Sequence, residues 1–288
     1  MTDPELHEPV ERRSFELYDL LGLWTLLLAG GLLFLYQLLS ALLSFTGRGG
    51  TIWGLVVAPV LGILLPLSLL LRRLGLPLAK ELWLRRLDGR QLLGVLLLSA
   101  GTLPLAYAGS ALNLRLVEPD LIYFDFYRGI IPTNTSELVG GVLALVILAP
   151  LGEEVVFRVL LLGVLRRHMP PLLAVVLVAL LFAAVHFQPW ALLPIFILGI
   201  VLGLIVLRTG SLLAAWIAHA LFNLVAYVEL LQTGDVATGE IEAFVTRPAI
   251  LGLGAVGLLL GFRLLQPGPT PQRLPANAEE PRPEDPAR

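Results

Sequence analysis

Of the 20 + 22 = 42 formally charged residues in this chain, four fall inside long apolar runs: Glu153, Glu154, Arg158 and Glu229. The first three share about one and a half helical turns. His186 and His219 also lie within apolar runs, and Asn223 follows His219 by four residues, which places both on one face of a helix. Carboxylates, imidazoles and an amide, with no cysteine and no serine in a nucleophile motif, are the parts of a water-activating site. Glu153 with His186 can remove a proton from water that attacks a carbonyl carbon, and His219 with Asn223 can donate hydrogen bonds to the developing oxyanion. Glu153, His186 and His219 are equally a ligand set for a divalent metal such as zinc, since carboxylate and neutral imidazole both bind it. The spacing does not choose between the two.

A charge at bilayer depth costs about 2.5 to 3.5 kcal/mol on insertion scales, so such residues face a cavity or pair with one another. Glu154 precedes Arg158 by four residues, the favourable orientation for a helical ion pair, and reads as its support. Glu153 points about 100° away and is left for another partner. Glu229 lies near the end of its run, where the interface is within reach. Interhelical hydrogen bonds worth about 0.6 kcal/mol each explain any one of these residues as polar glue, but explain the assembled set poorly.

The elements that must carry these groups are helices in lipid. The 288 residues are 57% hydrophobic and 15% charged, with a mean hydropathy of +0.83, which excludes an ordinary water-soluble domain. Apolar windows predict an all-α, polytopic transmembrane bundle of about eight helices: Leu20–Phe45, Thr51–Leu71, Gln91–Leu114, Leu138–Leu165, Pro171–Phe187, Trp190–Leu207, Ser211–Leu231 and Pro248–Phe262. The fourth is too long for one straight span, and Pro150 and Gly152 in its middle predict a kink or restart.

With alternating loops, one side collects fifteen basic residues and the other four, so both termini are expected in the cytoplasm. Residues 1–19 carry Asp3, Glu5, Glu11, Arg12, Arg13, Glu16 and Asp19 without a small-residue cleavage site, and read as a cytoplasmic segment rather than a signal peptide. Residues 20–266 form the membrane domain, and 267–288, with seven prolines, read as a disordered tail. Arg72 to Arg90 reads as an amphipathic interfacial stretch and a positive-inside anchor. Gly199/Gly203 and Gly257/Gly261 are packing pairs, and Asn134-Thr135-Ser136 fits a glycosylation triplet. A net charge of −2 gives no field for nucleic acid.

Depth brings the groups together. If helices four and five form an antiparallel hairpin around Arg167 to Pro171, Glu153 and His186 lie about 21 and 22 Å from the turn. From Gly210, His219 and Asn223 lie at about 14 and 20 Å, so all four can share one pocket. Motifs of serine, zincin-like and paired-aspartate intramembrane proteases do not occur. A transporter needs a polar pathway to both faces, and charge confined to one helix argues against it.

The ordered motifs Glu153-Glu154-Val155-Val156-Phe157-Arg158, Phe182-Ala183-Ala184-Val185-His186 and His219-Ala220-Leu221-Phe222-Asn223 resemble those of the CPBP intramembrane proteases, which include type II CAAX prenyl endopeptidases and Abi proteins related to bacteriocin immunity. The resemblance covers about 140–231. It implies an endopeptidase in which Glu153 and His186 activate water, His219 and Asn223 hold the oxyanion, and Glu154 and Arg158 support them. Metal dependence has been argued both ways for this family. Implied partners are membrane lipid and a peptide or protein substrate, with lipid-modified substrates belonging to its eukaryotic branch. The competing reading is a non-catalytic immunity or scaffold protein of the same fold.

Overall fold

The computed structural model describes residues 10–44, 48–118, 127–234 and 247–265; the tail expected at 267–288 lies outside them. The described residues are helical, with no strand. Eight helical segments follow the apolar windows. Helix α1 is Val10–Ser44, beginning ten residues before the apolar window. Helix α2 comprises Arg48–Pro59, a π-helical stretch Val60–Leu64, and Leu65–Arg73. Helix α3 is Gly89–Leu114, opened by a capping box in which Asp88 Oδ1 accepts from Gln91 N at 2.7 Å.

Helix α4 is continuous through Thr135–Gly141, Val142–Leu148, Ala149–Glu154, Val155–Leu162 and Gly163–His168. The expected restart at Pro150 does not occur. Backbone angles stay right-handed helical at the junctions, and the disturbance appears as two π-helical stretches flanking Ala149–Glu154. Helix α5 is Pro171–Ala184, α6 Leu192–Thr209, α7 Leu212–Thr233 and α8 Pro248–Leu264. Glycine in the left-handed region ends α6 at Gly210 and α7 at Gly234.

Among the described residues five helices are long and apolar enough to cross a membrane, while α5 and α8 are shorter apolar helices. Large side chains such as Trp24 and Phe34 are two-thirds exposed. Such an apolar surface requires lipid rather than water. This is a multi-pass membrane protein.

Small residues set the helix crossings. A Cβ added at Gly261 would lie 2.8 Å from both Gly94 O and Leu98 N, and one at Gly101 would lie 2.6 Å from Gly254 O, so α8 lies backbone to backbone on α3. Gly199 and Gly203 admit Ala179 and Val175 of α5 in the same way. The Asn134 triplet has a structural use: Asn134 is the N-cap of α4, its side chain accepting from Glu137 N at 3.0 Å.

The two ends of the bundle differ. At one end lie the start of α1, the loops at 74–88, 169–170 and 210–211, and the end of α8, with Arg72, Arg73, Lys80, Arg85, Arg86, Arg90, Arg166, Arg167 and Arg208. Gly22 sits beside His168 there, and Gly94 beside Leu265. Between the end of α2 at Arg73 and the start of α3 at Gly89 the described chain holds one helical turn, Leu78–Glu81, with Leu74, Leu76 and Leu84 exposed. This stretch folds onto the bundle. Trp83, held at φ 51°, lies against Gly163 and under the Arg166 guanidinium, while its carbonyl accepts from Leu212 N at 3.0 Å. Ser211 Oγ donates to Arg85 O at 2.7 Å. These contacts stitch the loop beneath α4 and α7.

Replacing Gly261 with Leu forces α8 off α3 and is expected to lower stability by about 1 to 3 kcal/mol, the range for overpacking. Thermal unfolding in detergent measures this, and an unchanged midpoint contradicts the close approach.

Candidate active site

The site is built around an irregularity in α4. Proline has no amide hydrogen, so in the π register of Val142–Leu148 the carbonyl of Leu145 loses the donor that position 150 would supply. Asn223 Nδ2 donates to that carbonyl at 2.8 Å, and Trp216 Nε1 donates to Ile147 O at 3.0 Å. Thus α7 is registered against α4 directly before the two glutamates. On the same face of α7, one turn earlier, His219 meets them.

Glu154 and Arg158 are fully buried. Arg158 Nε lies 3.1 Å from Glu154 Oε2, confirming the pair read from the spacing. The other oxygen of Glu154 accepts from His219 Nδ1 at 2.9 Å. A carboxylate acceptor there requires Nδ1 to carry a proton, so a neutral His219 presents the lone pair of Nε2. That Nε2 lies 3.8 Å from Glu153 Oε2. Phe182 packs edge-on to Phe157, His186 and His219, with ring centroids 5.0, 4.8 and 5.6 Å away. The Arg158 guanidinium lies 4.7 Å from the Phe182 ring centroid, a cation–π contact in a desolvated place.

His186 is not inside the fifth helix as expected. Helix α5 ends at Ala184, and His186 lies in the turn that follows, where Phe187 takes a left-handed conformation at φ 53°. For a residue with a Cβ this costs roughly 1 to 2 kcal/mol, and it reverses the chain immediately after the imidazole. Gln37 Nε2 of α1 donates to Val185 O at 3.1 Å. Asn113 of α3 uses both ends of its amide, donating to Pro189 O and accepting from Leu193 N at 2.8 Å each. The turn is therefore pinned on both sides. His186 Nδ1 lies 2.6 Å from Phe182 O, so Nδ1 is the donor and Nε2, 3.9 Å from Glu153 Oε2, faces the carboxylate.

Two imidazoles thus turn Nε2 toward one oxygen of Glu153, at separations too long for direct hydrogen bonds and suited to a bridging water. Glu153 and His186 line a cavity of about 310 Å³, whose other walls include Tyr36, Gln37 and Ser40 of α1, Tyr127 and Trp190. Tyr36 reaches the cavity wall beside Glu153. It reaches there because α1 crosses α2 closely at Gly62, where an added Cβ would lie 2.7 Å from Tyr36 Cα. Sequence reasoning missed Tyr36, Gln37 and Asn113. The signal was the polar trio Tyr36, Gln37 and Ser40 on one face of an otherwise apolar span.

Of the four expected site residues, Glu153, His186 and His219 converge, while the amide nitrogen of Asn223 is directed to Leu145. Glu229 does not reach the interface. It is buried and accepts from the hydroxyl of Tyr107 on α3, because its position on α7 faces that helix rather than the helix end. The metal alternative fits poorly. At the 3.8 and 3.9 Å separations an ion about 2.1 Å from each donor would open the Glu153–metal–His angles to about 130° and about 136°, well beyond tetrahedral, and no three His, Asp or Glu side chains among the described residues are grouped as a metal site.

Residues 135–225, about a third of the chain, match the family model described as type II CAAX prenyl endopeptidase Rce1-like. The matched segment contains all three motifs, so the resemblance read from them is shown over the core that carries the buried Glu153, Glu154 and His219 cluster. That family is one of proteases acting on peptides. No curated protein and no solved structure matches the chain.

Glu154→Gln and Arg158→Met are each expected to destabilise by about 3 to 5 kcal/mol, the cost of leaving one buried charge unpaired, with the double variant losing less than the sum. A strictly additive cycle in detergent unfolding refutes the coupling.

Proposed function

We propose that this protein is an intramembrane endopeptidase that hydrolyses peptide bonds of membrane-associated peptides or proteins with water activated at Glu153. The observation that carries this reading is the convergence of two oriented Nε2 atoms on the Glu153 carboxylate, with Glu153 and His186 lining one cavity and His219 buried behind them. A water held there gives its proton to Glu153 while its oxygen attacks the carbonyl carbon of the substrate. His186, the more exposed imidazole, carries a proton on to the leaving amine, and the peptide C–N bond breaks to give a carboxylic acid and an amine.

Stabilising the oxyanion from His219 requires a proton on Nε2 as well as on Nδ1, and Glu154 is the carboxylate that balances the resulting charge. Asn223 anchors α4 with one N–H and has a second to offer. Tyr36 stands on the cavity wall beside the Glu153 carboxylate. No step here passes through a metal, and the poor ligand angles support hydrolysis that survives chelation. The described start of α1 and end of α8 both lie at the basic end of the bundle, which supports cytoplasmic termini.

Glu153→Gln is expected to fold as the parent chain does and to lose cleavage of a test peptide from an unbiased library. His186→Ala is expected to do the same, whereas Asn223→Ala loses stability along with activity. Unfolding in detergent and turnover of one cleavable peptide, with and without a chelator, decide the matter. Wild-type turnover by Glu153→Gln, or rates that track stability alone, refutes the assignment and favours a scaffold; turnover abolished by chelation refutes the metal-free route. Tyr36→Phe is expected to lower kcat several-fold with KM and unfolding midpoint unchanged, and a change in KM alone assigns Tyr36 to substrate contact.

A further inference from the structure

The cavity has a direction. Its walls come from the last third of α1 (Tyr36, Gln37, Ser40), from Leu55 near the start of α2, from Tyr127 in the connection before α4, and from the turn at 185–190. All of these lie at the end of the bundle opposite the basic loops. The reason is the length of α5. Fourteen residues rise about 21 Å, short of the roughly 30 Å of hydrocarbon, so the chain turns back below the far surface and leaves a depression above His186. At the basic end the loop with Trp83 is stitched to α4 and α7, and fully buried Arg158, Leu162 and Ile205 fill the bundle beneath it.

We infer that the site takes its peptide from the non-cytoplasmic side of the membrane, through the opening between α1 and the turn at 185–190, and not from the face that carries the basic loops. The inference rests on the peptidase reading for the word peptide and on the excess of basic residues for the side. Wall chemistry narrows the substrate. Apart from Glu153 and His186 the lining offers aromatic rings, amides, hydroxyls and aliphatic groups and no formal charge, so the residues flanking the cleaved bond are uncharged. Phe187, exposed at the rim, and Trp190 on the wall are the side-chain types that settle at a membrane interface. A volume of about 310 Å³ is at the small end for ligand sites and admits a short stretch of chain.

The chain has no cysteine, so single cysteines report sidedness without background. Gln188→Cys and Arg85→Cys, each in the full-length chain, are treated with a membrane-impermeant maleimide in right-side-out and in inverted membrane vesicles. The expected result is labelling of Gln188→Cys only in right-side-out vesicles and of Arg85→Cys only in inverted ones. Labelling of both from the same side, exchange of the two patterns, or a Gln188→Cys that reacts only after detergent overturns the inference. The same labelling on a Glu153→Gln background needs no activity, so failure of the peptidase reading and failure of the access route are read separately. On the active background, maleimide at Gln188→Cys is expected to reduce peptide turnover at least tenfold relative to the unlabelled variant. Unchanged turnover shows that substrate does not pass this rim.

Discussion

Everything at the centre of this bundle depends on one fully buried carboxylate with two partners. Glu154 contacts Arg158 within its own helix and His219 on another, and no apolar residue could do both. The ion pair answers the desolvation of the arginine, which otherwise could not lie at that depth. The bond to His219 selects which imidazole nitrogen is presented to Glu153. One side chain therefore couples the stability of α4 to the protonation pattern of the site. Phe182, packed on both imidazoles and the guanidinium, makes that coupling rigid.

The irregular features follow from this requirement. In a regular α-register Pro150 would leave the carbonyl of Val146 without its donor, about 100° around the helix from that of Leu145, which receives Asn223. Pro150 withdraws a donor, the π register accommodates it, and α7 is fixed by the carbonyl that results. A similar economy applies at α5, where ending the helix early costs a left-handed Phe187 but brings His186 to the level of Glu153 on a turn tied to α1 and α3.

How much of this was legible in the sequence differs by kind of information. Charge in lipid is so costly that Glu153, Glu154 and Arg158 stood out at once, and the four-residue spacings of Glu154/Arg158 and His219/Asn223 gave their helix faces. Counting residues from the turns put Glu153 and His186 at one depth and His219 about a turn short of it, and the structure brings both imidazoles within 4 Å of Glu153. Rotations and partner choice were less accessible. That Asn223 would cap Leu145, that Glu229 would meet Tyr107, and that Tyr36 would reach Glu153 depend on how separate helices are turned about their axes, which periodicity within one helix does not report. Hydropathy likewise did not report that Gly163 leaves a seat for Trp83.

The cavity is lined from two parts of the chain. Glu153, Phe157 and the His186 turn belong to the segment 135–225, whereas Tyr36, Gln37, Ser40, Leu55 and Tyr127 precede it. The ion pair and the two imidazoles belong wholly to the segment 135–225. Selection can then retune what the protein accepts by exchanging side chains on α1 and α2 while the reactive core stays frozen. Divergence among proteins of this design should therefore concentrate in the first half of the chain, and chimaeras joined near residue 134 would transplant preference separately from chemistry.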